Sequence, residues 1–298
     1  VARGESRVTD WGAAQIQFQT VPVYKWSTRA GAGGVIEIEG TMKQRARYGI
    51  DAPGVVRGQI VFGCVLAAFA AIGFAWPRPN PVPLSVSISA AVTAVLLLLY
   101  AAVMVRSSLV SKRKVCDRLV AALALTGHEH VLDAGCGRGL ALIACAKKLA
   151  TGRAVGIDLW AAKDLSNNNP DATLRNAVAE GVADRVEVKT GDITRLPFPD
   201  ASFDAVISMT VIHNIPSRAA RDAALAELVR VLKPGGRMAI FDLMHTSRYA
   251  EVLRSAGLKV QDLSRDFLWL LPCRSLIAEK AGAGSTDAAG RSQDNRPR

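Results

Sequence analysis

The stretch Val131–Gly139, "VLDAGCGRG", decides how the rest of the chain is read. An apolar run carrying one acid, Asp133, leads into glycines at alternate positions, Gly135, Gly137 and Gly139. Glycines this dense after a strand let the backbone turn sharply and let a ligand lie against the main chain where a Cβ would stand. Three ligand classes use such loops. A P-loop requires lysine directly after its glycines, and here none follows until Lys147. The dinucleotide fingerprint G-x-G-x-x-G requires glycine at position 140, which is Leu140. A carboxylate at Asp133 repels a diphosphate and favours a ligand bearing an ammonium and a sulfonium. S-adenosylmethionine is such a ligand.

Working outward, short β-rich runs alternate with helical ones: "HVLDAG", "AVGIDL", "RVEVKT", "DAVISM" and "RMAIFD", after an amphipathic "KVCDRLVAALAL". Periods of 2 and 3.6 in alternation predict an α/β domain, a parallel sheet with helices on both faces. Ser217 is placed to cap a helix whose stripe is Leu225, Leu228, Val229 and Leu232, ended by "KPGG". "LKVQDL" and "FLWLLPCRSLIAEK" read as two further strands, an antiparallel pair. There is no internal repeat, and residues 281–298 have the composition of a disordered tail.

Upstream, the runs 58–76 and 84–105 contain no charge over 19 and 22 residues. As helices they span roughly 28 and 33 Å, the thickness of a bilayer's hydrocarbon. "PRPNPVP" between them, with four prolines in seven residues, stops one helix and turns into the next. The basic residues Lys43, Arg45, Arg47 and Arg57 precede the pair, and Arg106, Lys112, Arg113, Lys114 and Arg118 follow it; the connector has Arg78. The positive-inside rule therefore predicts a hairpin through the cytoplasmic membrane with everything after residue 105 in the cytosol. The expected organisation is an unpatterned extension (1–41), a basic juxtamembrane segment (42–57), the hairpin (58–105), an α/β domain (106–280) and the tail. Met42 precedes the first strongly patterned region, as it would if the reading frame had been started too early; peptide mapping of the native amino terminus tests this.

Half of the 298 residues are apolar and the formal net charge is +11. That excludes a disordered chain. The basic residues are spread along the sequence without a dense block interleaved with aromatics, so no nucleic-acid partner is expected. Five scattered cysteines, with no CxxC pair, predict reduced thiols and no metal centre.

"VLDAGCGRG" resembles motif I of the class I S-adenosylmethionine-dependent methyltransferases, and further segments follow in that family's order. "AVGIDLW" resembles its second strand, "TGDITRLPFPDASFDAVIS" its adenine-binding turn and fourth strand, and "VLKPGGRMAIFD" the turn into its fifth. The resemblance covers roughly residues 111–280. It implies a Rossmann-like seven-stranded sheet, mostly parallel with an antiparallel last strand. It also implies that Gly135, Gly137 and Gly139 bind the cofactor, the backbone at Gly135 and Gly137 passing beside the methionine portion with Asp133 near its ammonium. Asp158 is implied to hold the ribose, Leu159 to cover one adenine face, Asp192 to accept from the adenine amino group, Ile193 to pack on the ring, and Ser208 to lie at the cofactor's edge. Cys136 reads as a small loop residue.

Methyl transfer from a sulfonium is an in-line displacement with a good leaving group, so alignment and desolvation suffice. Acceptors in open α/β folds sit beyond the carboxyl ends of the strands, which points to "SMTVIHNIP". His213 is a candidate base or acceptor partner, or a loop histidine bonded to backbone; Asn214 faces the acceptor or shapes the loop. The sequence is most similar to the ubiquinone/menaquinone biosynthesis methyltransferases, which carry an Arg-Asn pair where this chain has His213-Asn214 and lack the hairpin. Tethering favours membrane-dissolved acceptors, so a small or lipid substrate such as a quinone precursor or isoprenoid is expected. Two other readings stay open: a cofactor-binding module without turnover, and a nicotinamide-dependent oxidoreductase.

Overall fold

The computed structural model describes residues 45–282 apart from 78, 80 and 269; the expected extension at 1–41 and nearly all of the expected tail lie outside the described residues. Seven strands, β1 (His130–Ala134), β2 (Arg153–Asp158), β3 (Val186–Thr190), β4 (Phe203–Met209), β5 (Leu232–Asp242), β6 (Leu258–Leu268) and β7 (Leu271–Lys280), join in the order β3-β2-β1-β4-β5-β7-β6. The first five are parallel. β7 runs antiparallel to both β5 and β6. This is the Rossmann-like methyltransferase sheet that the sequence predicts. Strand order reverses between β1 and β4, which opens a crevice beyond their carboxyl ends.

Alternation along the strands builds two cores. Val131, Ala205, Ile207 and Phe241 share one with Leu119 of α3 (Lys112–Ala122) and Leu142 of α4 (Leu140–Ala146). Leu132, Val206 and Ile240 share the other with Leu225 and Leu228 of α6 (Arg218–Val231) and with Tyr249 of α7 (Thr246–Ser255). Burying each such side chain is worth about 1.5–3 kcal/mol, and that fixes which helix face turns inward. α5 (Pro170–Ala179) is capped by Asn169, whose side chain accepts from Ala172 N–H, and α6 by Ser217, as expected.

Two apolar helices precede the sheet, α1 (Pro53–Ala75) and α2 (Leu84–Arg106). Both are long and apolar enough to cross a membrane. They pack through small residues: a Cβ on Gly73 would lie 2.2 Å from Ser87 Oγ, and one on Gly63 would lie 3.0 Å from Leu98. Such close approach is the usual way apolar helices associate where no water drives them together. Their outward faces expose Val61, Phe62, Ile72, Val95, Leu96 and Leu99.

The structure departs from the sequence reading at three places. α2 does not stop at residue 105: it runs through a π-helical turn (Ser107–Ser111) into α3 without a break. The expected boundary between hairpin and domain is therefore a continuous helix. "KPGG" does not lie outside the last turn of α6 but within β5, where the pairing jumps from Phe203 with Leu232 to Ala205 with Arg237. The loop is absorbed into the strand because Leu232 is fully buried against the sheet. Finally, β6 continues to Leu268, so "FLWLLPCRSLIAEK" contains the end of one strand, a reversal with Leu270 at φ 65°, and the next strand.

Candidate active site

A cavity of about 440 Å³ fills the crevice at the strand reversal. Its floor is the loop after β1. Gly135 has φ +79°, and a Cβ there would lie 2.4 Å from both methyls of Val211; Gly137 has φ +50°, and a Cβ there would meet Leu165 at 2.9 Å. Both positions thus exclude side chains for a reason internal to the protein, with the loop after β4 pressed onto the first glycine. Gly139 initiates α4 and does not line the cavity. Helix α5 holds the loop from behind: Thr173 Oγ1 donates to Gly137 O at 2.6 Å, and Asn176 Nδ2 to Arg138 O at 2.9 Å.

Two carboxylates converge on this floor. Asp133 is buried, its Oδ2 has no hydrogen-bond partner, and burial pushes its pKa up to about 7, with one hydrogen bond from Leu142 N–H opposing the shift and the charge of Asp158 adding to it. Asp158, at the end of β2, ties the loop down: Oδ2 accepts from Gly137 N–H at 2.8 Å, and Oδ1 from Trp160 N–H at 2.6 Å and Asn168 Nδ2 at 3.2 Å. One acceptor direction on Oδ2 is left over. An unpartnered buried carboxylate oxygen beside a second acid repels phosphate and suits a cation. Leu159, 63% exposed, presents an apolar edge beside them. Across the cavity Asp192 accepts from Thr194 N–H at 2.8 Å, which fixes the turn after β3, and buried Ile193 lines the wall.

Besides Gly139, two of the expected residues stand apart. Ser208 is buried and donates to Ala134 O at 2.9 Å, joining β1 to β4, and does not line the cavity. His213 also lies off the lining: its Nδ1 sits 2.5 Å from Asp242 Oδ1, and its backbone N–H donates to Asp242 Oδ2 at 3.0 Å. Asp242 further accepts from Leu243 N–H and Tyr249 Oη. The acid at the end of β5 thereby pins the turn Ile212–Asn214, while Asn214 itself lines the cavity. Cys136 is buried, and burial followed by the charge of Asp133 raises its thiol well above the ordinary range, which makes it inert.

The opposite wall was missed from sequence. It comes from the base of the hairpin: Tyr48 and Asp51 on one side, Ser108 and Lys112 on the other. The segment before α1 is strapped to the loop before α5 by Ala52 N–H to Asp164 O, Ser166 N–H to Ile50 O, and Ile50 N–H to Ser166 Oγ, at 2.9–3.1 Å. One signal was present. Asp51 is the lone acid between Glu39 and Asp117, a stretch otherwise filled by apolar and basic residues.

Residues 132–240 match a family model described as a methyltransferase domain. Among characterised relatives, the chain is 35% identical over 131 residues to 27-O-demethylrifamycin SV methyltransferase of Amycolatopsis mediterranei, covering 44% of each chain. It is 38% identical over 122 residues to demethylmenaquinone methyltransferase of Lactiplantibacillus plantarum, covering 40% of this chain and 47% of that one. The chain thus spans about half the length of these relatives. A solved S-adenosylmethionine-dependent methyltransferase from Aquifex aeolicus superposes with a TM-score of 0.44 at 21% identity, over 58% of this chain and 92% of that one.

Proposed function

We propose that this chain is a membrane-embedded, S-adenosylmethionine-dependent methyltransferase with its catalytic domain in the cytosol, acting on a small lipophilic acceptor. The observation that carries the cofactor is the pair Asp133 and Asp158 around the glycine loop: a buried, unpartnered carboxylate oxygen is stabilised by a cationic ligand and would repel a diphosphate. This weighs against a nicotinamide cofactor, as does Leu140 in place of the third glycine of the dinucleotide fingerprint.

In this reading Asp133 and the backbone at Gly135 and Gly137 receive the methionine portion, and the free acceptor direction on Asp158 Oδ2 receives a ribose hydroxyl. Leu159 and Ile193 flank the adenine, with Asp192 accepting from its amino group. Gly139 and Ser208 act one step back, by starting α4 and by joining β1 to β4. Bound there, the cofactor supplies an electrophilic methyl on sulfonium. The protein's part is to align the acceptor behind that methyl and to exclude water. Asn214 faces the acceptor, and His213, paired with Asp242, fixes the turn that carries it.

Support for a membrane position comes from the exposed apolar faces of α1 and α2, most of which the rest of the protein leaves uncovered, whereas the core helix of a soluble domain is mostly covered. Basic residues flank both outer ends, which supports a cytosolic position for the domain. Two relatives are named for 27-O-demethylrifamycin SV and demethylmenaquinone as acceptors, which supports a small-molecule acceptor here. The experiment has two parts. Calorimetry of the detergent-solubilised protein should show binding of S-adenosylmethionine and none of NAD. Incubation of membrane lipids with methyl-labelled cofactor, followed by mass spectrometry, should then reveal a labelled lipid-soluble product. Binding without any labelled product would reduce the chain to a sensor or scaffold.

A further inference from the structure

We infer that the base of the hairpin is the acceptor end of the cavity, and that Asp51 takes the proton of an acceptor hydroxyl there; this rests on the methyl-transfer reading above. Asp51 stands two residues before α1, and Lys112 opens α3 on the far side of α2. Lys112 Nζ lies 2.6 Å from Asp51 Oδ1, with the two side chains 13% and 8% exposed. Asp51 N–H donates to Ser108 Oγ at 3.2 Å. A pin between the two ends of the hairpin accounts for all of this. It does not account for Asp51 Oδ2, which is buried and has no hydrogen-bond partner. Asp51, Ser108 and Lys112 line the same cavity as Asp133 and Gly135, so the unused oxygen belongs to a residue of the reaction chamber. The π-helical turn that carries Ser108 is of a kind that recurs at functional sites.

The chemistry of the pair selects the acceptor. A carboxylate acceptor would add a further negative charge to a chamber already holding Asp51, Asp133 and Asp158. An amine arrives protonated at neutral pH, its lone pair blocked, and meets the Lys112 ammonium. A neutral hydroxyl donates to Asp51 Oδ2 and keeps its lone pairs free. The acceptor oxygen then attacks the sulfonium methyl carbon, the carbon–sulfur bond breaks with its electron pair staying on sulfur, and the hydroxyl proton passes to Asp51. The products are a methyl ether, neutral S-adenosylhomocysteine and a protonated Asp51, so charge and atoms balance. The site lies where the exposed apolar faces of α1 and α2 meet the domain, so an amphiphile resting along the hairpin brings its head to Asp51.

The test uses the full chain in phosphatidylcholine nanodiscs with 4-dodecylphenol and the matched dodecylbenzene as probes. In the presence of S-adenosylhomocysteine, the wild type should bind the phenol at least about tenfold more tightly than the hydrocarbon. Asp51→Asn should lose that preference, and Asp51→Asn combined with Lys112→Met, which removes both buried charges at once, should lose it too. Asp51→Asn should bind S-adenosylmethionine as the wild type does, which shows that it is folded and that the cofactor reading stands; the double variant, which loses a charge that favours ionised Asp133, should still bind it, though more weakly. Where the phenol is turned over, the label should appear as a methyl ether, and Asp51→Asn should slow it by about 100-fold. Equal affinity for the two probes in the wild type, or a preference that survives in both variants, overturns the inference while leaving the cofactor site intact. Failure of the wild type to bind S-adenosylmethionine would instead overturn the reading on which it rests.

Discussion

The two walls of the cavity are built on opposite principles. The wall after β1 comes from one short stretch of chain, and its working groups are Asp133 and a backbone loop held by the side chains of Asp158, Thr173 and Asn176. The hairpin wall is made from side chains that are far apart in sequence, Asp51 with Ser108 and Lys112, 57 and 61 residues away. The first wall is rigid because glycines leave no room: Val211 and Leu165 sit where their Cβ atoms would be. The second is rigid only as far as a buried ion pair and a strap of backbone hydrogen bonds make it so. A wall of backbone suits a cofactor common to many enzymes; a wall of side chains suits an acceptor peculiar to one.

The largest effect that separates the walls is expected from Gly135→Val. The substitution forces a branched side chain at φ +79° into the methyls of Val211 at 2.4 Å, and calorimetry should show loss of S-adenosylmethionine binding by more than about 100-fold. The hairpin wall should be untouched, so the phenol preference proposed for Asp51 should persist. Next in size is Val95→Asp on the exposed face of α2. A carboxylate near mid-span costs about 2.5–3.5 kcal/mol on insertion scales, so fractionation should move most of the protein out of the membrane pellet. Retention in the pellet would mean that the hairpin is not membrane-spanning. Asp158→Ala comes third. It releases the loop at Gly137 N–H and removes the proposed ribose acceptor; hydrogen bonds to a charged group are worth about 1.5–3 kcal/mol, which sets the expected loss of affinity at about 10- to 150-fold.

This asymmetry also explains what could be read from the sequence. The cofactor wall was legible because its determinants are local. The glycine spacing, the acid at the end of β2 and the turn around Asp192 each lie within a short stretch whose meaning does not depend on distant residues. The α/β class followed for the same reason, from alternation of period, whereas the seven-stranded sheet was implied by the resemblance. The hairpin wall was not legible, because nothing in "RYGID" names Lys112 as a partner, and the continuous run of α2 through a π-turn into α3 hides a boundary that composition seemed to mark. His213 stayed open between a base and a loop residue because of the same kind of gap: its position is set by Asp242, the last residue of β5, and by Tyr249 beyond it. Ser208 and Gly139 are near the cofactor in sequence terms, but the strand and helix geometry turn them into supports.

A smaller effect concerns pH. Asp133 is pushed up to about 7 in the fold by burial, against about 3.9 in an unfolded chain. Between those values the folded protein holds a proton that the unfolded chain has released. Stability without ligand should therefore fall as pH rises from about 4 to about 7 and level off above. Cofactor affinity should run the other way, climbing by up to about tenfold per pH unit below 7 and flattening above, because the cation binds the ionised carboxylate. Asp133→Asn should flatten both curves, as read by thermal melts and by calorimetry across pH 5–8. A wild-type affinity independent of pH would mean that Asp133 does not face the cationic end of the ligand.

The smallest effect is the one that best separates support from contact. Leu159 is 63% exposed at the end of β2 and lines the cavity. Its truncation to Ala removes little from either core, so the melting temperature should hold within the scatter of surface substitutions, about 0.5 kcal/mol. If Leu159 is the platform for the adenine, the bound complex buries its side chain where the free protein does not. The affinity for S-adenosylmethionine should then fall by roughly 5- to 30-fold, the equivalent of about 1–2 kcal/mol of apolar burial. The same substitution should leave the phenol preference at the hairpin wall unchanged, since the two walls are fixed by separate elements. An unchanged cofactor affinity would move the adenine away from β2. A lost phenol preference would show that the walls are coupled through the loop between Leu159 and Asp164, the segment to which the strap before α1 is bonded.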